Sequence, residues 1–180
     1  MKWIRVGLAL GGLAATGSLA AVGCATATQA AGRPASAVHL IAYSINSDGP
    51  QFRALLTGAV GDWGPAVSVH PDGSIDPEHT SQLKLNLRHG SFRLGIAGLD
   101  RRIVQAYQHW PENPSTCSGT IAVRATLPVI ANSGSGAYRG ITGSLRATAT
   151  ISEVDAHPCD GTGKFLSQVI LVTAAGTVSP

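Results

Sequence analysis

In Gln82-Leu-Lys-Leu-Asn-Leu-Arg88 the apolar residues Leu83, Leu85 and Leu87 alternate strictly with polar ones, and Phe92, Leu94 and Ile96 repeat the pattern in the next segment. A period of two puts one set of side chains on one face of a β-strand, so each run predicts a half-buried strand. His89-Gly90 between them suits a tight hairpin connection. The alternation returns over residues 120–127, with Ile121, Val123, Ala125 and Leu127 on one face, and over residues 144–154. There Leu145, Ala147, Ala149 and Ile151 oppose Arg146, Thr148, Thr150 and Ser152. Further strands are expected at residues 37–46, 52–60, 65–70 and 165–177, about eight in all.

One segment breaks the period. In LDRRIVQAYQHW, Leu99, Ile103, Ala106, Tyr107 and Trp110 recur at helical spacing until Pro111, which predicts one short amphipathic helix whose aromatic stripe packs against the sheet. Eight short antiparallel strands must hide their edges, and closing the sheet on itself does so completely. The fold class expected is therefore all-β, an eight-stranded antiparallel β-barrel with one short helix; a β-sandwich is the alternative, because alternation does not separate the two. The run from Phe165 to Val172 is apolar on both faces, as a strand would be with one face lining the barrel and the other covered by the helix.

Composition then locates the domain. The 180 residues, 44% hydrophobic and 13% charged, suffice for a single core. MKWIR followed by an apolar or small stretch from Val6 to Val22 has the three-part pattern of a secretory signal peptide, so the chain is expected to be exported and residues 1–24 to lie outside the fold. Ala20-Ala-Val-Gly-Cys24 resembles a lipobox, which would acylate Cys24 and anchor the protein to the bacterial cell envelope; Ala25-Thr-Ala27 equally suits ordinary cleavage and secretion. Residues 25–36 lack apolar periodicity and fit a flexible tether, leaving residues 37–180 as the domain. Two of the thirteen basic residues, Lys2 and Arg5, fall in the leader, so the formal charge drops from +3 to +1 without it. That balance does not call for a nucleic-acid partner, and the membrane is expected to be met only through the leader or a lipid anchor.

Export also governs the remaining cysteines. Thiols oxidise outside the cytoplasm, so Cys117 and Cys159 are expected to pair; closing a loop of this length stabilises a fold by about 4 kcal/mol in the chain-entropy model. His157 near Cys159 also allows a catalytic Cys–His pair, which an available partner cysteine disfavours.

The stretch GSGAYRGITGSL, residues 134–145, gathers four glycines and a tyrosine ahead of a strand. Glycines there permit left-handed turns and close backbone approach, while Tyr138 is placed to pin the loop onto the core. No helix N-terminus follows, which argues against a phosphate site. Gly-x-Gly-Ala-Tyr-x-Gly-Ile-x-Gly leading into a long alternating strand, residues 134–151, resembles a segment of secreted actinobacterial proteins assigned to the allene oxide cyclase and dirigent-like barrel superfamily. The resemblance implies an eight-stranded antiparallel barrel able to hold an apolar small molecule, and enzymes that steer cyclisation or coupling without a cofactor.

Candidate chemistry is sparse. His70-Pro-Asp-Gly-Ser-Ile-Asp-Pro-Glu-His79 gathers histidines and carboxylates, but its spacing matches no metal motif and its prolines and Asp-Gly are turn chemistry, so no metal or cofactor is expected. Glu153 continues the apolar face of Leu145 to Ile151, where a desolvated carboxyl would serve as acid or base, although the strand end also gives it access to water. His39 and Tyr43 share a face with Ile41 and Ile45 and are expected as polar handles in a pocket, with Ala149 on its small-residue wall. The pattern thus predicts an envelope protein binding an apolar small molecule in its lumen; the alternatives are a cofactor-free cyclase or isomerase using Glu153, and an interaction protein with a filled barrel.

Overall fold

The computed structural model describes residues 34–45, 51–75, 81–160 and 162–179. The chain divides into two units, residues 1–31 and 32–180, and only the second falls within the described range. Cys24 and the leader therefore lie outside it.

Eight antiparallel strands and one helix follow in order: β1 (Ser36–Ile45), β2 (Gln51–Gly58), β3 (Asp62–Val69), β4 (Gln82–Leu87), β5 (Gly90–Gly95), α1 (Ala97–Tyr107), β6 (Ser118–Pro128), β7 (Thr142–Asp155) and β8 (Phe165–Ser179). They form one sheet in the order β5-β4-β3-β2-β1-β8-β7-β6, so the first and last strands are neighbours and the sheet curls into a half-barrel. Alternation works as the sequence predicts. Val38, Leu40, Ala42, Leu83, Leu85, Leu145, Ala147 and Ala149 face inward and join one apolar cluster with Phe92, Leu94 and Leu127.

The open seam lies between β5 and β6, and it is closed without a regular ladder. A single antiparallel bridge joins Leu94 and Val129, after which the chain leaving β6 runs along the free edge of β5. Ile130 N donates to the Arg93 carbonyl at 2.8 Å, Ser135 N to the Ser91 carbonyl at 2.8 Å and Ala137 N to the His89 carbonyl at 2.9 Å. Serine hydroxyls replace the missing carbonyl acceptors: Ser133 Oγ accepts from Arg93 N and Ser135 Oγ from Ser91 N, each at 3.0 Å. The edge is thus satisfied group by group, which removes a template for edge-to-edge association. A Cβ on Gly90 would strike the Ser135 carbonyl and one on Gly136 the His89 carbonyl; both residues also have positive φ. Contact this close between two backbones is possible only for glycine.

At one end of the seam, where the β4–β5 turn meets the chain after β6, sits Asp62 of β3, only 3% exposed. Its Oδ1 accepts from Trp63 N at 2.8 Å and Arg88 N at 3.3 Å; its Oδ2 accepts from His89 N at 3.0 Å and from the Tyr138 hydroxyl at 2.5 Å, with His89 Nδ1 at 3.1 Å. Arg88 and His89 are the two residues between β4 and β5, so the hairpin turn falls one position earlier than His89-Gly90, and Asp62 caps its amides. Tyr138 is buried, with its ring edge-on to Phe92 at 5.4 Å. The loop is pinned to the core as the sequence suggested.

The helix corrects a second expectation. Leu99 and Ile103 join the core as α1 packs against β6, not over the outer side of β8, where Leu166, Val169 and Leu171 stay exposed. Cys117, just before β6, and Cys159, in the β7–β8 loop, form the expected disulfide at one end of the sheet.

Burial raises the Asp62 pKa, but the hydrogen bonds from Tyr138, His89 and Trp63 outweigh it and hold the carboxyl far below its ordinary 3.8. Burial and the Asp62 charge push the Tyr138 phenol well above 10.0. A carboxylate with a lowered folded pKa contributes stability that is present above the ordinary value and lost as pH falls below it. A phenol with a raised pKa contributes stability below its ordinary value that is lost above it. Chemical denaturation across pH is therefore expected to give a plateau bounded by decline below about 4 and above about 10, the ordinary carboxylate and phenol values. Asp62→Asn should lower the plateau by about 2 kcal/mol or more and flatten the acid limb.

Candidate functional site

Among the described residues, two regions bear on the site residues expected from the sequence. The first forms where the inward face of β7 runs out. Glu153 is the inward residue after Ile151, and in the β7–β8 register it stands opposite Gln168. The Gln168 amide donates to Glu153 Oε2 at 2.5 Å and to the Tyr107 hydroxyl oxygen at 2.9 Å, while that hydroxyl donates to Glu153 Oε2 at 3.3 Å. Tyr107 ends α1 and stacks on Trp110, with ring centroids 5.1 Å apart and planes at 8°. Trp110 in turn lies over Gly119 of β6, where a Cβ would come within 2.7 Å of the indole. Burial and then the Glu153 charge push the Tyr107 phenol up to about 12, so it stays a proton donor throughout the physiological range.

An open groove of 530 Å³ at this end of the sheet is lined by Glu153 and Gln168 together with outward residues of β6–β8, among them Thr120, Ser152 and Val169. Glu153 lies in the groove wall with the Tyr107 phenol behind it as a hydrogen-bond donor, an arrangement in which a carboxyl can act as acid or base. Structurally, the same three side chains tie the end of α1 to β7 and β8. Glu153 is thus placed at the mouth of the inward face, where the alternation put it, with a donor from each neighbouring element.

The second region is the outer face of β1, β2 and β3. His39, Ile41, Tyr43 and Ile45 do share a face, but it points outward: Val38, Leu40 and Ala42 are buried, whereas Tyr43 is 42% exposed. His39 and Tyr43 therefore do not line a lumen. Ile41 pairs with Leu55, and Leu55 with Trp63, so three large apolar side chains form one row across three strands. In the next row Leu171, Tyr43 and Arg53 are neighbours. Ile41, Leu55, Tyr43 and Arg53 border a groove of 740 Å³ with Trp63 55% exposed at its rim.

Ala149 marks the difference between an expected lumen and the observed interior. It is 0% exposed, so no water-sized space touches it, and it sits between Val123 of β6 and Val172 of β8 in register. Its wall is small because its neighbours fill the space.

The loop of residues 70–79 behaves as a turn where it is described: Asp72 accepts from Ser74 N at 2.9 Å and from Ser74 Oγ at 2.7 Å, and residues 76–80 fall outside the described range. Cys117, Cys159 and His157 bring potential metal-ligand atoms within 4.8 Å of one another. Both sulfurs are spent in the disulfide, with His157 Nδ1 3.4 Å from Cys159 Sγ.

Leu55, Arg53 and Trp63 were not legible as site residues, because a strand apolar on both faces gives no sign of which face is outward. Comparison of the chain with protein-family models, with curated proteins and with solved structures found no match. The reading of function rests on the residues themselves.

Ala149→Phe supplies a direct check on the interior. Forcing an aromatic ring between Val123 and Val172 is expected to destabilise the domain by about 1–3 kcal/mol or prevent folding, as overpacking does. Unchanged denaturation of this variant would mean that a cavity does adjoin β7.

Proposed function

We propose that this chain is an exported, non-catalytic binding protein of the cell envelope, built on a barrel of the allene oxide cyclase and dirigent-like kind, that takes an apolar small molecule in the groove on the outer face of β1–β3. One observation carries the reading: Ile41, Leu55, Trp63, Tyr43 and Ile45 lie contiguous and exposed around a 740 Å³ groove. Single exposed apolar residues are ordinary, but a contiguous patch marks a contact site, and this volume lies in the range of small-ligand pockets. Arg53 and Gln51 supply polar groups at its edge for orientation.

Export is supported by the leader pattern of residues 1–24, with Cys24 as the acylation site, and agrees with the Cys117–Cys159 disulfide. The superfamily assignment draws on the motif of residues 134–151. The cyclase or isomerase reading has one observation in its favour, the Glu153–Tyr107–Gln168 triad beside its own groove.

Native mass spectrometry of protein extracted gently from its envelope is expected to show an apolar adduct, and Leu55→Asp to abolish it without changing the melting temperature. Absence of any adduct, together with no thermal shift across a lipid and polyketide panel, would contradict the binding reading. Turnover of a bound molecule that is lost in Glu153→Gln while the adduct persists would favour the cyclase.

A further inference from the structure

The fold separates charges that are nearly balanced in the sequence. Outward positions of the strands carry Arg53, Lys84, Arg93, Arg124 and Arg146. Among the described residues no aspartate or glutamate takes an outward strand position before the register shift at Val154/Asp155. The carboxylates go elsewhere. Asp62 is buried in the seam, Glu153 faces α1, Asp100 lies on α1 itself, and Asp72, Glu112 and Asp160 lie in loops. Lys84 and Arg93 are even direct cross-strand partners, an arrangement that is unfavourable unless an anion lies over it.

Between these cations runs the apolar band. Val169 and Leu171 of β8 pair with Ile45 and Tyr43 of β1, and the band continues through Leu55 to Trp63, against which Arg88 stacks at 5.7 Å. Arg53 lies within the band and Arg88 at its edge, whereas Lys84 and Arg93 on β4 and β5 and Arg124 and Arg146 on β6 and β7 lie farther round the curl of the sheet. A nucleic acid would set its phosphates against bare aliphatic side chains at the centre of this face. A bilayer surface fits the pattern better, since apolar and aromatic side chains enter the headgroup boundary while basic ones meet anionic lipid. β1 lies at the middle of the band.

We infer that the outer face of β8, β1, β2 and β3 docks on an anionic lipid surface. The inference rests on the outer-face reading of function and names its setting: the groove opens onto the leaflet, from which an apolar molecule would be drawn. Docking is peripheral, and among the described residues no helix is long and apolar enough to cross a membrane.

Hydroxyl-radical footprinting of the exported protein with vesicles of phosphatidylcholine containing phosphatidylglycerol tests this directly, because a contact made only by the N-terminal segment would leave the sheet face unprotected. Modification of Trp63 and Tyr43 should fall on vesicle addition while that of Tyr107 and Trp110 does not, and the protection should fade with salt. Arg53→Gln should weaken vesicle binding about fivefold, as loss of one cation near an anionic surface does. Trp63→Ser, at an exposed site, should weaken binding with the melting temperature unchanged. Protection equal with pure phosphatidylcholine, protection that grows with protein concentration in the absence of vesicles, or no protection at all would overturn the inference; the second would identify another copy of the chain as the occupant. An apolar adduct that persists without vesicle protection would remove the docking inference alone, whereas loss of both would remove the outer-face reading with it.

Discussion

A buried carboxylate at the seam is the constraint on which the rest of the fold depends. Burying Asp62 without partners would cost several kcal/mol, so the native state must deliver donors to both oxygens. They come from separate places: the start of β3 itself, the β4–β5 turn, and Tyr138 from the segment after β6. Asp62 is satisfied only when these pieces converge, and their convergence is what closes the curled sheet. The glycines around Tyr138 follow from the same requirement, because two backbones must approach with no Cβ between them.

Closing the seam in this way uses up the interior. Phe92, Tyr138, Leu94 and Leu127 share one buried cluster with Ala147 and Ala149, which are themselves buried, so small side chains on one wall do not leave a lumen beside them. At the rim of the inward face Glu153, Gln168 and Tyr107 satisfy one another and hold the end of α1. Large apolar side chains for which the filled core has no place lie outside, on β8, β1, β2 and β3. Arg53 within that apolar face and Arg88 stacked on Trp63 make it the chemically distinctive surface of the domain.

Much of this was legible in the residue pattern. The alternation around Leu83–Leu87 and Leu145–Ile151 marks strands and their inward faces, the helical spacing of Leu99 and Ile103 marks α1, and the Cys117–Cys159 pairing was expected from the leader pattern together with two remaining cysteines. Where both faces of a strand are apolar, as in β1, period two offers no choice; Ile41, Tyr43 and Ile45 look more like core than Ala42 and Ser44 do. The smaller set is inward because bulk arrives from the opposite wall, a fact of tertiary packing. Asp62 was invisible for a related reason. Gly61-Asp62-Trp63-Gly64 reads as turn chemistry, and apart from Trp63 the partners of Asp62 lie 26 to 76 positions away in the chain.

The claim that Asp62 and Tyr138 act as one unit is best tested by a double-mutant cycle of Asp62→Asn and Tyr138→Phe, read from equilibrium denaturation at neutral pH. Direct partners in a buried network couple by about 0.5–3 kcal/mol, so the double variant should be less destabilised than the sum of the single ones by an amount in that range. Additivity within about 0.3 kcal/mol would show that the two residues contribute independently, and would contradict closure of the barrel through their shared hydrogen bond.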